Sequence, residues 1–324
     1  MQVSINDEVD VELWDRLTQM SLFHTRSWIS LLCDSYQLKP FYALCSEDDQ
    51  FALIGACSVM GSYVSLPYTY ISGFLWNSEY ALTTLQQWLE EKGYAIRYRD
   101  ICEFNSTSEM VTSIVSFDSL TVYWKSLSKK MRNQIRKSEK AGFEFLAQAS
   151  VDEFYYVFSR NMHRLGTPVH ARDFFRSFHE RFDSARLFVV RHNGKPVAAM
   201  CGIVANDVAK HCESTFYNLW ASTLEEYDKL YVNYFLYWGM FQAISEEGIR
   251  RIDLGTSITD SGVFRFKQKL LPKNFGICDY TIGSAGKRRT YKTSAVRGLV
   301  SGIWRTLPYP ITLWLGPKLR KYLA

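Results

Sequence analysis

The sequence predicts an α/β (α+β) chain of mixed, mostly antiparallel sheets flanked by helices and built from two related units. Three observations carry this. The order helix, hairpin, strand, helix, strand is read twice along 324 residues. Asn193-Gly194 sits between two apolar runs, the strongest short-range hairpin signal. A content of 47% hydrophobic and 15% aromatic residues suffices for a substantial core, which argues against global disorder.

Each element follows from local pattern. Residues 13–20 and 28–33 have helical spacing, whereas 41–45, 51–59 and 63–66 read as strands; 80–92 is an amphipathic helix ending at Gly93, and 94–99 resumes as strand. Residues 124–142 read as one helix with two faces. Trp124, Leu127, Met131 and Ile135 recur at spacings of three and four, Lys129, Arg132, Arg136 and Lys140 line another side, and Gly142 is the C-cap. In the second half, 151–165 and 171–182 are helical, 187–191 and 197–204 flank the hairpin turn, and 209–216 is a further strand. Residues 234–247 form a helix closed at Gly248, and 251–254 the strand after it. This divides the chain into a first domain at 1–120, a basic connecting helix at 121–145, a second domain at 146–285 and a basic amphipathic tail at 286–324.

Composition narrows the classes. The seven cysteines (Cys33, Cys45, Cys57, Cys102, Cys201, Cys212 and Cys278) are scattered in apolar contexts without CxxC spacing, and are expected to be reduced core residues in a reducing compartment. Asp7, Glu8, Asp10 and Glu12 stand where a signal peptide would be basic and apolar, and no apolar run approaches the roughly eighteen residues of a membrane span. After Asp279 there is no acidic residue but nine cations: Lys287, Arg288, Arg289, Lys292, Arg297, Arg305, Lys318, Arg320 and Lys321. Of 38 lysines and arginines, 29 then remain against 33 acids, so the body is net acidic and the basicity belongs to the tail. Trp304, Trp314 and several leucines and isoleucines among those cations have the composition of an interfacial anchor. A packed C-terminal helix pair with solvated cations is the alternative.

There is no Walker loop, no GxGxxG after a strand, no GxSxG elbow and no HExxH, so hydride transfer, nucleotide hydrolysis and serine hydrolysis lose their support. No metal site and no permanently bound cofactor are expected. What remains is cationic and aromatic: residues 129–137 (Lys129, Arg132, Asn133, Arg136, Lys137), 161–168 with Asn161, His163 and Arg164, Asn233-Tyr234, and 253–267, where Asp253-Leu254-Gly255-Thr256-Ser257 is followed, within one loop, by Gly262 and Phe264-Arg265-Phe266-Lys267. Arginine forks and lysine charges hold phosphate oxygens, as in a coenzyme A or nucleotide-diphosphate arm. Taken singly, such a helical stripe is more often a solvated face than a ligand site, Gly166-Thr167-Pro168 is a turn in most proteins, and a lone histidine such as His163 is more often structural than a base.

In this order, these motifs resemble the FemAB-like branch of the GNAT acyltransferase superfamily, in particular the FemAB-like proteins associated with exopolysaccharide and exosortase systems. The similarity runs from about Trp28 to the C-terminus, including Leu307-Pro308-Tyr309-Pro310 and Leu315-Gly316-Pro317. The resemblance implies two tandem GNAT-like domains around a cleft and transfer of an acyl or aminoacyl group to an amine. In Fem peptidyltransferases a Phe-Lys pair approaches the acyl transition state, and the matching positions are Phe266 and Lys267. Asn161, Arg164, Asn233, Tyr234, Ser257 and Arg265 are carried over by motif as substrate-binding positions. Where relatives commonly read Asp-Phe-Gly-Arg-Ser, this chain has Leu254 and Thr256, so a cation is lost there. No heptad arm of the kind that reads transfer RNA is present.

A fixed ammonium at Lys267 would stabilise the oxyanion formed when an amine attacks a thioester or ester by about 3 to 4 kcal/mol. Asp253 and Glu213 are candidate bases, with a structural pin as the alternative for Asp253. Lys129, Arg132, Asn133, Arg136 and Lys137 are assigned to a phosphate-bearing part of donor or acceptor. The expected protein is an N-acyltransferase using acyl-CoA or another acyl carrier as co-substrate to modify an amino group on a nucleotide- or lipid-linked saccharide precursor. It is expected in the cytoplasm, peripheral on the inner face of the cell membrane through its tail. The alternatives are aminoacyl transfer from charged transfer RNA to a peptidoglycan precursor, and a non-catalytic accessory factor in polysaccharide assembly. DNA binding is argued against, because the body is acidic and no stacking aromatics interleave with the cationic stripe.

Overall fold

The computed structural model describes residues 1–324 apart from Met20, Ser106, 208–212, 284–294 and Ala324; the side chains of Asp207, Glu213, 295–300 and Leu323 are also outside the description. The tail cations Lys287, Arg288, Arg289 and Lys292, Cys212, and the side chain of Arg297 therefore lie outside the described residues. In chain order the elements are β1 (Gln2–Ile5), α1 (Val11–Thr18), α2 (Arg26–Tyr36), β2 (Lys39–Glu47), β3 (Gln50–Val59), β4 (Ser62–Ser65), β5 (Leu75–Trp76), α3 (Glu79–Glu91), β6 (Ile96–Cys102) and β7 (Met110–Ser116). They continue with α4 (Leu120–Ser126), α5 (Lys129–Glu139), β8 (Phe143–Leu146), α6 (Val151–Leu165), α7 (Arg172–Arg181), β9 (Ala185–His192), β10 (Lys195–Asp207) and β11 (Glu213–Thr223). The chain ends with α8 (Val232–Glu246), β12 (Arg251–Ile258), α9 (Gly262–Gln268), β13 (Lys273–Ile282), α10 (Ala295–Thr306) and α11 (Tyr309–Arg320).

The two expected units share one continuous sheet, in the order β1-β2-β3-β4-β6-β13-β7-β12-β11-β10-β9-β8, with β5 on β3. All pairings are antiparallel except β4 with β6 and β11 with β12. The join is reciprocal. β7, from the first half, pairs β12 of the second, and β13, from the second half, pairs β6 of the first. Neither β7 nor β13 is assigned from sequence, since a strand's partner 160 or so residues away leaves no local mark.

Three buried clusters fill the faces. One gathers Trp28, Leu32, Phe158, Phe174 and Phe178 from α2, α6 and α7; a second packs α4, α5 and α8 over the opposite side of β9–β12; the third holds α3 to β2 and β3. Phenylalanines such as Phe154, Phe174 and Phe178, at most 2% exposed, each stabilise the fold by about 1.5–3 kcal/mol through burial.

Three expectations are corrected. Residues 124–142 are two helices, because Leu127 turns extended (ψ 143°) and Ser128 caps α5, its hydroxyl accepting from Met131 N at 3.1 Å. The apolar stripe is continuous across the break, which hid it. Residues 262–267 form α9, not a loop, with Ser261 capping Phe264 N. Finally, the cysteines are not all reduced: Cys102 on β6 and Cys278 on β13 form a disulfide, while Cys33, Cys45, Cys57 and Cys201 are free and buried. Their 176-residue separation makes the pair invisible without the β6–β13 pairing, and the cysteine argument for a reducing compartment loses its basis.

The tail is a pair of helices. α10 and α11 pack on α6, with Ser159 Oγ and Tyr309 Oη 2.8 Å apart, His163 Nδ1 and Thr312 Oγ1 3.1 Å apart, and Trp304 only 4% exposed. Ile303, Ile311, Trp314 and Tyr322 remain exposed, and no described helix is long and apolar enough to cross a membrane.

Candidate active site

β11 and β12 pair in parallel only from Thr215–Tyr217 to Arg251–Asp253 and then part. Past that point β12 bulges against β7 between Asp253 and Thr256, with Gly255 at φ +76°. A Cβ on Gly255 would lie 2.7 Å from the Asn218 carbonyl oxygen, so both the conformation and the close approach require glycine.

The bulge turns two carbonyls toward α9. Lys267 Nζ donates to Gly255 O at 2.8 Å and to Thr256 O at 3.0 Å, which leaves one of its three N–H groups for a ligand. The side chain is 3% exposed. Burial pulls its pKa down to about 8, and the nearby Asp253 partly opposes the shift.

Asp253 is fully buried. Its Oδ1 accepts from Thr112 Oγ1 at 2.6 Å and from Gly255 N at 2.8 Å, and the Tyr70 hydroxyl lies near enough to favour its charge. Burial raises its pKa, opposed by these hydrogen bonds and by Lys267. The carboxylate thus ties β7 to the Gly255 turn, so the carbonyls that hold Lys267 are themselves held.

A pocket of about 330 Å³ opens in the splay. Its walls are 218–221 of β11 and 254–256 of β12, with Tyr237 and Lys267 beneath; Tyr68, Thr69, Tyr70 and Arg99 come from the first half, His170 from the segment after α6, and Arg320 from α11. Arg99 is paired with Asp279 at 2.8 Å.

The positions flagged from sequence divide between pocket and surroundings. Lys267 lines the pocket, and Asp253 lies behind it. Phe266 is half-buried in edge contact with Tyr234 and Tyr237, ring centroids 5.2 and 5.0 Å away, and so braces Tyr237 from outside. Tyr234 accepts from Lys269 Nζ at 2.8 Å, and Asn233 is half-buried beside it on α8. Asn161 donates to Ser222 Oγ at 3.1 Å and accepts from Arg164 at 2.9 Å, while Arg164 pairs with Glu225 at 3.4 Å, so this set ties α6 to the end of β11. Ser257 is buried on β12, and Arg265 is exposed on α9. Lys129, Asn133, Arg136 and Lys137 are exposed on α5 and Arg132 is half-buried; none lines the pocket, and Arg136 lies 5.6 Å from the Trp124 ring centroid. The side chain of Glu213 lies outside the described residues.

Sequence reasoning missed Asn218, Tyr237, His170, Arg99 and Arg320 as pocket residues. Asn218 carried a signal. The strand expected to stop at 216 runs on to Thr223, but β10 and β11 slip register between Cys201 and Gly202, so the period-two alternation breaks where the wall begins.

Residues 125–268 match the family model of the acetyltransferase (GNAT) domain. Among solved structures, the fold is similar to that of FemX, at 12% identity over 87% of this chain and 98% of that one, TM-score 0.64. It is also similar to that of a tandem GNAT protein from the clavulanic acid biosynthesis pathway, at 8% identity over 88% and 100%, TM-score 0.52. No curated protein sequence matches the chain. Residues 125–268 thus carry an acetyltransferase (GNAT) domain, the domain of an acyltransferase, and the open splay lies within it. The architecture of the whole chain is similar to that of FemX and of the tandem GNAT protein.

Proposed function

We propose that the chain transfers an acyl group from acyl-CoA or another acyl carrier to an amino group on a cell-surface polysaccharide precursor. The observation that carries this reading is the buried Lys267 ammonium lining the pocket in the splay, with two of its three N–H groups occupied by carbonyls. As the amine attacks the carbonyl, the C–N bond forms and charge gathers on oxygen. The Lys267 donor neutralises it, and collapse to the amide breaks the C–S bond and expels the carrier thiolate, which takes up the proton lost by the attacking nitrogen. Among the described residues no serine or cysteine lines the pocket, which supports direct attack.

The resemblance to FemAB-like proteins of exopolysaccharide systems supports the saccharide acceptor. The exposed Ile303, Ile311, Trp314 and Tyr322, beside Arg305 and Lys318 with no acid after Asp279, support a peripheral place on the cytoplasmic face of a membrane. Aminoacyl transfer from transfer RNA is the second reading, favoured by the exposed cations of α5 outside the pocket. Mass changes in nucleotide- and lipid-linked sugars incubated with acetyl-CoA, other acyl-CoAs or charged transfer RNA test both. A product with an acyl-CoA, absent with Lys267→Ala, supports the first reading. Product only with charged transfer RNA supports the second, and no product with any donor favours an accessory factor. Flotation with anionic vesicles equal to that of a chain ending at Ile282 would remove the membrane role.

A further inference from the structure

Arg320, at the end of α11, carries a cation into the pocket from a segment that sequence marks only as a basic tail. Its stem is partly exposed, but Nε is shielded from solvent and finds no partner among the described residues. One Nη donates to the Pro168 carbonyl at 3.3 Å, and the guanidinium lies 5.0 Å from the Tyr68 ring centroid. The groups acting on its charge are the phenols of Tyr36 and Tyr68, with no carboxylate among them; burial lowers its pKa. The placement is built: Tyr68 Oη donates to Arg320 O at 2.6 Å, and a Cβ on Gly316 would meet Val169 N at 2.9 Å, so α11 sits directly on the chain leading to His170.

His170, 1% exposed, lines the same pocket. Burial first, then Arg320, holds its pKa well below the usual imidazole range, so the ring is neutral. Nδ1 is hydrogen-bonded to Tyr36 Oη, and burial raises the pKa of that phenol. A protonated phenol against a neutral imidazole donates, which assigns the ring proton to Nε2. That nitrogen also has no partner among the described residues. Arg320 Nε–H and His170 Nε2–H are therefore two unsatisfied buried donors in one pocket, a condition that a ligand acceptor relieves.

We propose that Arg320 and His170 form an oxyanion subsite that binds a carboxylate or phosphate carried by the acceptor, a few atoms from the amine that is acylated. This rests on the acyl-transfer reading for which partner brings the anion. The phosphates of an acyl-CoA are separated from its thioester by the whole pantetheine arm, and a pocket of about 330 Å³ shared with Lys267 does not span that distance. The acceptor class is thus an amine with its own nearby anion, such as an amino acid or a phosphorylated amino sugar.

The test needs no transfer activity. Thermal unfolding and calorimetric titration of the full chain with inorganic phosphate and with acetate, at fixed ionic strength in chloride, read the subsite directly. The expected result is saturable stabilisation by at least one anion, weakened at least tenfold in Arg320→Gln and less in Arg320→Lys, which keeps the charge without the fork. Lys318→Gln, on the exposed side of α11, binds like the wild type. Phosphate alone or acetate alone identifies the anion class. No saturable binding to the wild type, or equal binding by Arg320→Gln, overturns the subsite. If Arg320→Gln does not fold, the same comparison with Arg320→Lys decides, and undiminished affinity there overturns it. Anion binding without any acyl product would leave the subsite standing while refuting the acceptor reading.

Discussion

The two halves present the same splay of parallel strands and use it oppositely. In the first half β4 pairs β6 at Tyr63–Ile96 and Val64–Arg97 only, as β11 pairs β12 over three positions in the second. Beyond Val64, however, the gap is stitched shut. Ser65 Oγ lies within hydrogen-bond distance of the Gly55 and Ser72 carbonyls, which share its one proton, Ser72 N donates to Arg99 O, and Ser72 Oγ accepts from Arg99 N. Beyond Tyr217 the gap is instead the pocket. The stitching segment also delivers Tyr68, Thr69 and Tyr70 to that pocket. A duplicated unit therefore works as one cleft and one wall, and the difference lies in whether backbone groups at the splay find each other or wait for a ligand.

The largest expected break in this asymmetry is Lys267→Ala. Loss of one transition-state donor should lower kcat by about 10²–10³-fold with little change in KM, measured by steady-state kinetics on the acylated product. A fall smaller than tenfold would move the chemistry out of the open splay.

Gly255→Ala should come next. Its Cβ would approach a backbone oxygen to 2.7 Å at φ +76°, where no side chain can yield, so a loss of roughly 1–3 kcal/mol is expected in denaturant unfolding. An unchanged midpoint would mean that the splay is not set by this turn.

The pH profile sharpens the assignment. The Lys267 pKa is near 8 against an ordinary 10.5, so the ammonium proposed to stabilise the oxyanion is present below about pH 8 and lost above it; kcat/KM, which reports the free protein, should fall on the alkaline side with that apparent pKa. Lys267→Arg should shift this limb to higher pH. The linked stability has the opposite sense. Between about 8 and 10.5 the unfolded chain binds more protons than the folded one, so Lys267 makes stability rise with pH through that window.

Smaller effects probe the closed splay and the helix outside both. Ser72→Ala removes the hydroxyl that accepts from Arg99 N and should cost about 1 kcal/mol in thermal unfolding while leaving kcat within twofold. Arg136→Ala, on the exposed face of α5, should leave kcat unchanged and raise KM for a phosphate-bearing donor in a salt-dependent way; an unaltered KM at low salt would remove α5 from substrate binding.

Legibility in the sequence tracked how local each cause was. The helices α3, α6, α7 and α8, the hairpin at Asn193-Gly194 and the glycine of the 253–257 turn are written in neighbouring residues, and the structure has them in place. Lys267 was legible because Phe266-Lys267 is a contiguous motif. The α5 cations were equally conspicuous, yet they line no part of the pocket, because the same helix spends Met131 and Ile135 on packing and its charged face points to solvent.

By itself the sequence determined a mixed α/β chain of two similar units, a net acidic body with a basic end, and a Gly-Thr-Ser run followed by a Phe-Lys pair. The tertiary structure alone decided that β7 and β13 cross between the halves, that Cys102 meets Cys278, that one splay is sutured and the other open, and that Arg320 and His170 line one pocket with Lys267. The physical reason is the same in each case. Periodicity and capping act within a few residues, whereas strand pairing, burial of a charge and orphaned hydrogen bonds depend on groups separated by many tens of residues that meet only once the sheet is assembled.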